Sequence, residues 1–183
     1  MTPNSAPEGL DIAVATNSPQ WDTALPDVQA LARTAVEAAW AAGQGVGAVQ
    51  TTEVSIVLAD DAFVQNLNRD FRGQDKPTNV LAFPASGGGM DEGPTAQPPG
   101  MPVLLGDIVV AFETAMAEAA DQGKALGDHV CHLVVHGMLH LLGFDHQVAA
   151  DADVMEALEI DVLAGLHIAN PYEGGVAVDG STP

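Results

Sequence analysis

With 183 residues the chain fits one ordinary domain, large enough to bury a core without staples. Its apolar stretches, such as 54–59 and 103–105, fall far short of the roughly 20 residues a membrane-spanning helix needs, and residues 1–10 lack the basic start and apolar core of a secretory signal. A formal charge of −20 repels nucleic acid at long range, so any bound phosphate falls to the segment where three of the five cations gather, Arg69, Arg72 and Lys76.

Residues 1–9 are expected to be a disordered lead-in, and residues 10–15 a short strand. Asp27 can cap a helix whose apolar positions Val28, Leu31, Ala32, Ala35, Val36 and Ala39 keep helical spacing, with Gly43 as its stop. In 52–58, Val54, Ile56 and Leu58 alternate with Glu53, Ser55 and Val57, the pattern of a strand with one face more buried. A shorter helix starts after Asp60, followed by a polar turn over 73–77 and an apolar strand over 79–83 that Pro84 ends.

Residues 85–102 hold five Gly and four Pro with almost no bulky apolar side chains and should form a mobile loop. A strand over 104–112, a helix over 113–124 and a second helix capped by Asp128 and running to Leu142 follow, with Gly143 as the stop. A last helix over 150–166 presents Met155, Leu158, Val162 and Leu166 as its buried edge, and the tail 171–183 is expected to be unstructured. Strands interspersed with helices indicate an α+β fold, a small mixed β-sheet packed by several helices, in a single domain over 10–170. The lone cysteine, Cys131, cannot form an internal disulfide, so a cytoplasmic setting is expected, with Cys131 itself in the core.

Four of the six histidines lie close together, and His132, His136 and His140 step by four along one predicted helix, about one turn apart on one face. Two imidazoles at that spacing can converge on one ion at the ~2.0–2.1 Å that zinc prefers. His136 and His140 form the natural pair, and Gly143 permits the reversal that brings His146 back as a third ligand. His132 is assigned to lining the site or orienting a neighbour, and His129 and His167 to structural or surface roles. Three protein ligands leave a tetrahedral ion one position for water, a catalytic rather than a structural arrangement. Zinc peptidases with the same spacing carry a Glu general base directly after their first His, where this chain has Gly137. Asp145, just before the third ligand, is open between assisting that chemistry and a turn or ligand-orienting role.

The string His136-Gly-Met-Leu-His140-Leu-Leu-Gly143-Phe-Asp145-His146 resembles the signature of the YbeY endoribonucleases, or rRNA maturation factors. A second stretch resembles the same family, from Leu67-Asn68 through Phe71-Arg72-Gly73, Asp75-Lys76-Pro77-Thr78-Asn79-Val80-Leu81 and Phe83-Pro84, followed by Leu105-Gly106-Asp107-Ile108. The resemblance, over about 54–172, implies one zinc on the three motif histidines, cleavage of single-stranded RNA, and a role in 16S rRNA 3′-end maturation and ribosome quality control. It also links Arg72 to activity and implies the ribosome or a ribosome-associated protein as partner. The mechanism expected is metal-assisted phosphodiester hydrolysis, with Arg72 stabilising charge on the phosphoryl oxygens. A zinc peptidase on the same cage, and a ribosome-assembly protein whose zinc only fastens the fold, are the rival readings.

Overall fold

The computed structural model describes residues 9–44, 51–85, 100–145 and 147–173. The predicted lead-in over 1–8, most of the Gly- and Pro-rich loop, the tail beyond Glu173 and His146 lie outside the described residues. Four strands and six helices follow in the order β1 (Leu10–Thr16), α1 (Pro19–Ala24), α2 (Val28–Gln44), β2 (Thr52–Ala59), α3 (Asp61–Arg72), β3 (Val80–Pro84), β4 (Val103–Ala111), α4 (Phe112–Asp121), α5 (Leu126–Leu141) and α6 (Ala149–Gly165). The sheet order is β1-β2-β4-β3, with β1, β2 and β4 parallel and β3 antiparallel to β4 at the edge. This is the mixed, helix-packed α+β architecture anticipated above.

Strand alternation sorts the core into two layers. Val54, Ile56 and Leu58 of β2 and Ile108 and Val110 of β4 join α2, α5 and α6 in the main cluster. Their neighbours Ala59, Leu81, Val109 and Ala111 pack with Val64 of α3 in a smaller one. Helix α5 lies at the centre, in contact with α2, α4, α6, β3 and β4. It is apolar nearly all round, as a helix in that position must be.

Several expectations need correction. Helix α1 was not anticipated: six residues are too few for a periodicity signal, yet its Trp21 is fully buried, stacks edge-on against Phe112 and donates its indole N–H to the Ala59 carbonyl at 2.9 Å. Gly43 does not stop α2, which runs one residue further. It lies where Leu142 approaches, and a Cβ there would stand 2.6 Å from the Leu142 Cδ1. Asp128 does not cap α5: the cap position is Ala125, which makes no side-chain capping bond, and Asp128 sits in the first turn, where a negative charge suits the helix dipole. The tail begins ordered, because residues 171–173 turn back onto the helices.

Two expected stops hold. Gly143 adopts φ 97°, and the Phe144 N–H returns to the Leu139 carbonyl at 3.0 Å. At α3, Asp60 accepts from the Phe63 N–H at 2.8 Å, and Gly73, at φ 67°, closes the other end.

Candidate metal and RNA-binding site

Two segments build the site. After Gly73 the chain is pinned by Asn68, which is buried and donates its side-chain amide to the Lys76 carbonyl at 2.8 Å, while the Gln65 amide donates to the Asp75 carboxylate at 3.0 Å. Asn79 then accepts from the Val80 N–H at 2.7 Å and donates to both oxygens of Glu118, at 3.2 and 3.0 Å. These bonds fix the turn that follows Arg72, the last residue of α3, and Arg72 lines one cleft together with Val80, Ala82 and Pro84 of the edge strand β3. Strand β4 contributes Gly106 at φ 147°, where a Cβ would meet the Phe83 carbonyl oxygen at 2.3 Å, and the β2–β4 register shifts next to this glycine. The two motif stretches on which the family resemblance rests are therefore structural couplings as well as site residues.

The second segment is α5. His136 and His140 stack one turn apart with ring centroids 4.6 Å from each other, and their Nε2 atoms face one another across 3.1 Å. The His136 Nδ1–H donates to Oε1 of Glu159 at 2.5 Å, which places a proton on Nδ1, so that in the neutral ring the lone pair lies on Nε2. Two zinc ligands at ~2.0–2.1 Å in tetrahedral geometry stand about 3.3–3.4 Å apart, so this pair has close to the separation zinc requires. Imidazole nitrogen is also a donor that zinc accepts readily. Among the described residues no set of three His, Cys, Asp or Glu gathers as a metal group, and the third predicted ligand, His146, is outside them.

Glu159 was not anticipated. It sits on the buried edge of α6 with Met155 and Val162, is completely buried, and gathers three donors: His136, His132 through Nε2–H at 3.2 Å, and the Tyr172 hydroxyl. Burial alone would raise its carboxyl, but hydrogen bonds from His132, His136 and Tyr172 outweigh it and bring the group down to about 2. The Tyr172 phenol moves up beyond its ordinary range, through burial and then through its bond to that carboxylate. His132 thus lines the site and shares a partner with His136, the role expected of it. The signal for Glu159 was its helical spacing with Met155 and Val162, and its acidic type concealed it.

A cleft of about 780 Å³ runs along this face and is lined by Arg72, Asn79, His132, His136, His140 and Asp145. A smaller pocket of about 310 Å³ shares Arg72 and Asn79 with it and adds Lys76. On the other side an adjoining cleft of about 770 Å³ carries Glu118, Asp128 and Glu173, with Lys124 tied to the Pro171 carbonyl at 2.9 Å. Arg33 donates to the Ile12 carbonyl and Arg69 pairs with Asp70. Among the described residues no hydrogen bond or ion pair engages the side chains of Arg72 and Lys76; of these two cations Arg72 borders the histidine pair's cleft and Lys76 the smaller pocket that shares Arg72 with it.

His129 is buried beside this region, donating from Nε2 to Glu118 at 2.8 Å while its Nδ1 has no partner. Burial lowers its pKa; Glu118 pulls it back up in part, and His132 and Lys124 push it further down. Below the ordinary value of about 6.5 the unfolded chain therefore takes up a proton that the folded chain resists. Stability from this residue should be complete at pH 7.5 and decline as pH falls through 6.5 toward the folded pKa. Urea unfolding of the wild type and His129→Gln at pH 7.5 and 5.5 measures it: the variant should lose less stability between the two, and equal losses would refute the assignment.

Paired histidines on a central helix, a carboxylate behind one of them and two available cations beside them define a hydrolase-type centre suited to a phosphodiester. The chain belongs to the YbeY endoribonuclease family: the family model described as "Endoribonuclease YbeY" matches residues 15–167. It is 52% identical to the endoribonuclease YbeY of Paramagnetospirillum magneticum over 89% of this chain and 96% of that one. It is 53% identical to that of Rhodospirillum rubrum, over 83% of this chain and 76% of the relative. A solution structure of TM1509 from Thermotoga maritima aligns at 21% identity with a TM-score of 0.48, covering 94% of this chain and 100% of that one.

Proposed function

We propose that the chain is a zinc-dependent endoribonuclease of the cytoplasm that cleaves single-stranded RNA, with the metal held by His136, His140 and His146. The observation that carries this reading is the pair of Nε2 atoms of His136 and His140 facing each other across 3.1 Å in the cleft that Arg72 borders. Zinc bound there would act as a Lewis acid on a phosphoryl oxygen or on water. Arg72 grips the phosphate on the side of the smaller pocket, where Lys76 adds a second positive charge. The adjoining cleft carries Asp128 and Glu173, which repel phosphate, while Glu118 lines both that cleft and the smaller pocket, so the backbone of the strand is drawn to the paired charges of Arg72 and Lys76. Because the chain carries −20 overall, its affinity for free RNA is weak, and the ribosome or a ribosome-associated protein delivers the substrate. The role in 16S rRNA 3′-end maturation and ribosome quality control rests on the family resemblance.

A peptidase on the same histidine pair is disfavoured by Gly137. Its Cα faces β4, and a Cβ there would already be 3.0 Å from Ile108 Cγ2, leaving little room for a general-base carboxylate at this position.

The test compares zinc-loaded wild type with the His136→Ala, His140→Ala double mutant on labelled single-stranded RNA, structured RNA and a denatured protein, with metal content measured in parallel. Wild type should hold about one zinc per chain and cut the single strand alone, and the double mutant should lose both metal and cleavage. Full metal content in the double mutant, or proteolysis by the wild type, would overturn the reading.

A further inference from the structure

We propose that Glu159 is the positioning residue of the metal centre: its carboxylate, fixed by His132 and Tyr172, orients His136 and sets its tautomer for metal binding. This inference rests on the zinc reading above and concerns a residue of α6, an element that the metal-binding motif does not include.

A carboxylate with no exposed surface is costly unless its lone pairs are satisfied. Here three donors converge on it from two directions, His132 and His136 from α5 and the Tyr172 hydroxyl from the segment after α6. The division between the two oxygens is informative. Oε1 takes only the His136 Nδ1–H, whereas Oε2 takes both His132 and Tyr172. The Oε2 partners act as a brace that fixes the plane of the carboxylate, and Oε1 passes that fixed direction to one imidazole.

For His136 the result is a ring with its proton on the side away from the cleft and its lone pair on the side facing His140. A negative charge behind the ring also makes that lone pair a stronger donor to a cation. A purely structural ion pair would not require the held nitrogen to be the one opposite the facing Nε2 atoms. His132, whose Nε2 is engaged by the same carboxylate and whose Nδ1 is buried, serves the brace and is not a further ligand in this arrangement.

The experiment measures the zinc dissociation constant of full-length wild type, Glu159→Gln and Tyr172→Phe by competition with a chromophoric chelator, together with thermal unfolding of each metal-free protein. Glu159→Gln should bind zinc about 10–100-fold more weakly while the metal-free protein still unfolds cooperatively. Tyr172→Phe removes a donor only from Oε2 and should lose less than Glu159→Gln. A Glu159→Gln protein that binds zinc as tightly as wild type overturns the inference, and wild type that binds no zinc overturns the metal reading on which it stands. If Glu159→Gln does not fold, the wild type alone decides. Nitrogen-proton correlation spectra of its metal-free form should show the His136 proton on Nδ1, and a proton on Nε2 instead would overturn the proposal.

Discussion

Arg72→Ala should cut single-strand RNA cleavage by about 10²–10³-fold at matched zinc occupancy, the effect of losing one donor to a charge that develops in the transition state. Arg72 is exposed at the end of α3, has no ion pair among the described residues, and borders both the histidine cleft and the Lys76 pocket. In a chain with 25 acidic residues and 5 Lys and Arg, a cation without an ion pair stands against a large excess of potential partners. What prevents capture is the arrangement of neighbours: Asp75 accepts from Gln65, Glu118 is occupied by Asn79 and His129, and Asp70 is taken by Arg69. The guanidinium can grip two phosphoryl oxygens together, a geometry that an ammonium lacks, so Arg72→Lys should recover only part of the rate. Zinc content and melting temperature should be unchanged in both variants. Single-turnover cleavage of a short single-stranded RNA is the measurement, and near-normal turnover by Arg72→Ala would remove the residue from the mechanism.

How much of this was legible in the sequence depended on whether a residue's role showed in its chemical type. Helix α5 was plain because its histidines step by one turn among apolar residues, and β2 because Val54, Ile56 and Leu58 recur at every second position. The cationic cluster was legible as a cluster, but not that Arg69 is spent on its neighbour Asp70 while Arg72 and Lys76 are not. Glu159 was hidden for the opposite reason. It belongs to the buried edge of α6 by spacing, but it stands in a helix with Asp151, Asp153, Glu156 and Asp161, where one more acidic residue looks like part of a solvated face. Tyr172 was assigned to an unstructured tail because nothing local holds it, and its partner lies 13 positions earlier. Both misses are tertiary: a polar residue buried by its partners carries no sequence signal until those partners are known. The glycines were legible as punctuation only. Gly143 is a helix stop, whereas Gly43 and Gly106 are places where another element comes too close for a Cβ.

Gly137 is a third such place, and it leads to the second large effect. Inserting the missing peptidase base as Gly137→Glu should destabilise the protein severely and create no peptidase. The glycine is buried in the middle of α5, and Ile108 of β4 lies against it: a Cβ would stand 3.0 Å from Cγ2 and 3.4 Å from Cγ1. Ile108 is itself fully buried in the main core, where close packing resists its displacement. Gly137→Ala would gain about 1 kcal/mol of helix propensity and lose about 1–3 kcal/mol to overpacking, so a modest net loss is expected. A glutamate adds the larger cost of placing a carboxylate among apolar groups, several kcal/mol unless it is protonated or paired. Against a total stability of about 5–15 kcal/mol that sum removes much of the folded population. Thermal unfolding of Gly137→Ala and Gly137→Glu, alongside hydrolysis of a denatured protein substrate, measures both effects. A stable Gly137→Glu protein with proteolytic activity would show that the glycine is no packing requirement, and that the histidine pair on α5 lacks only a base to cut peptides.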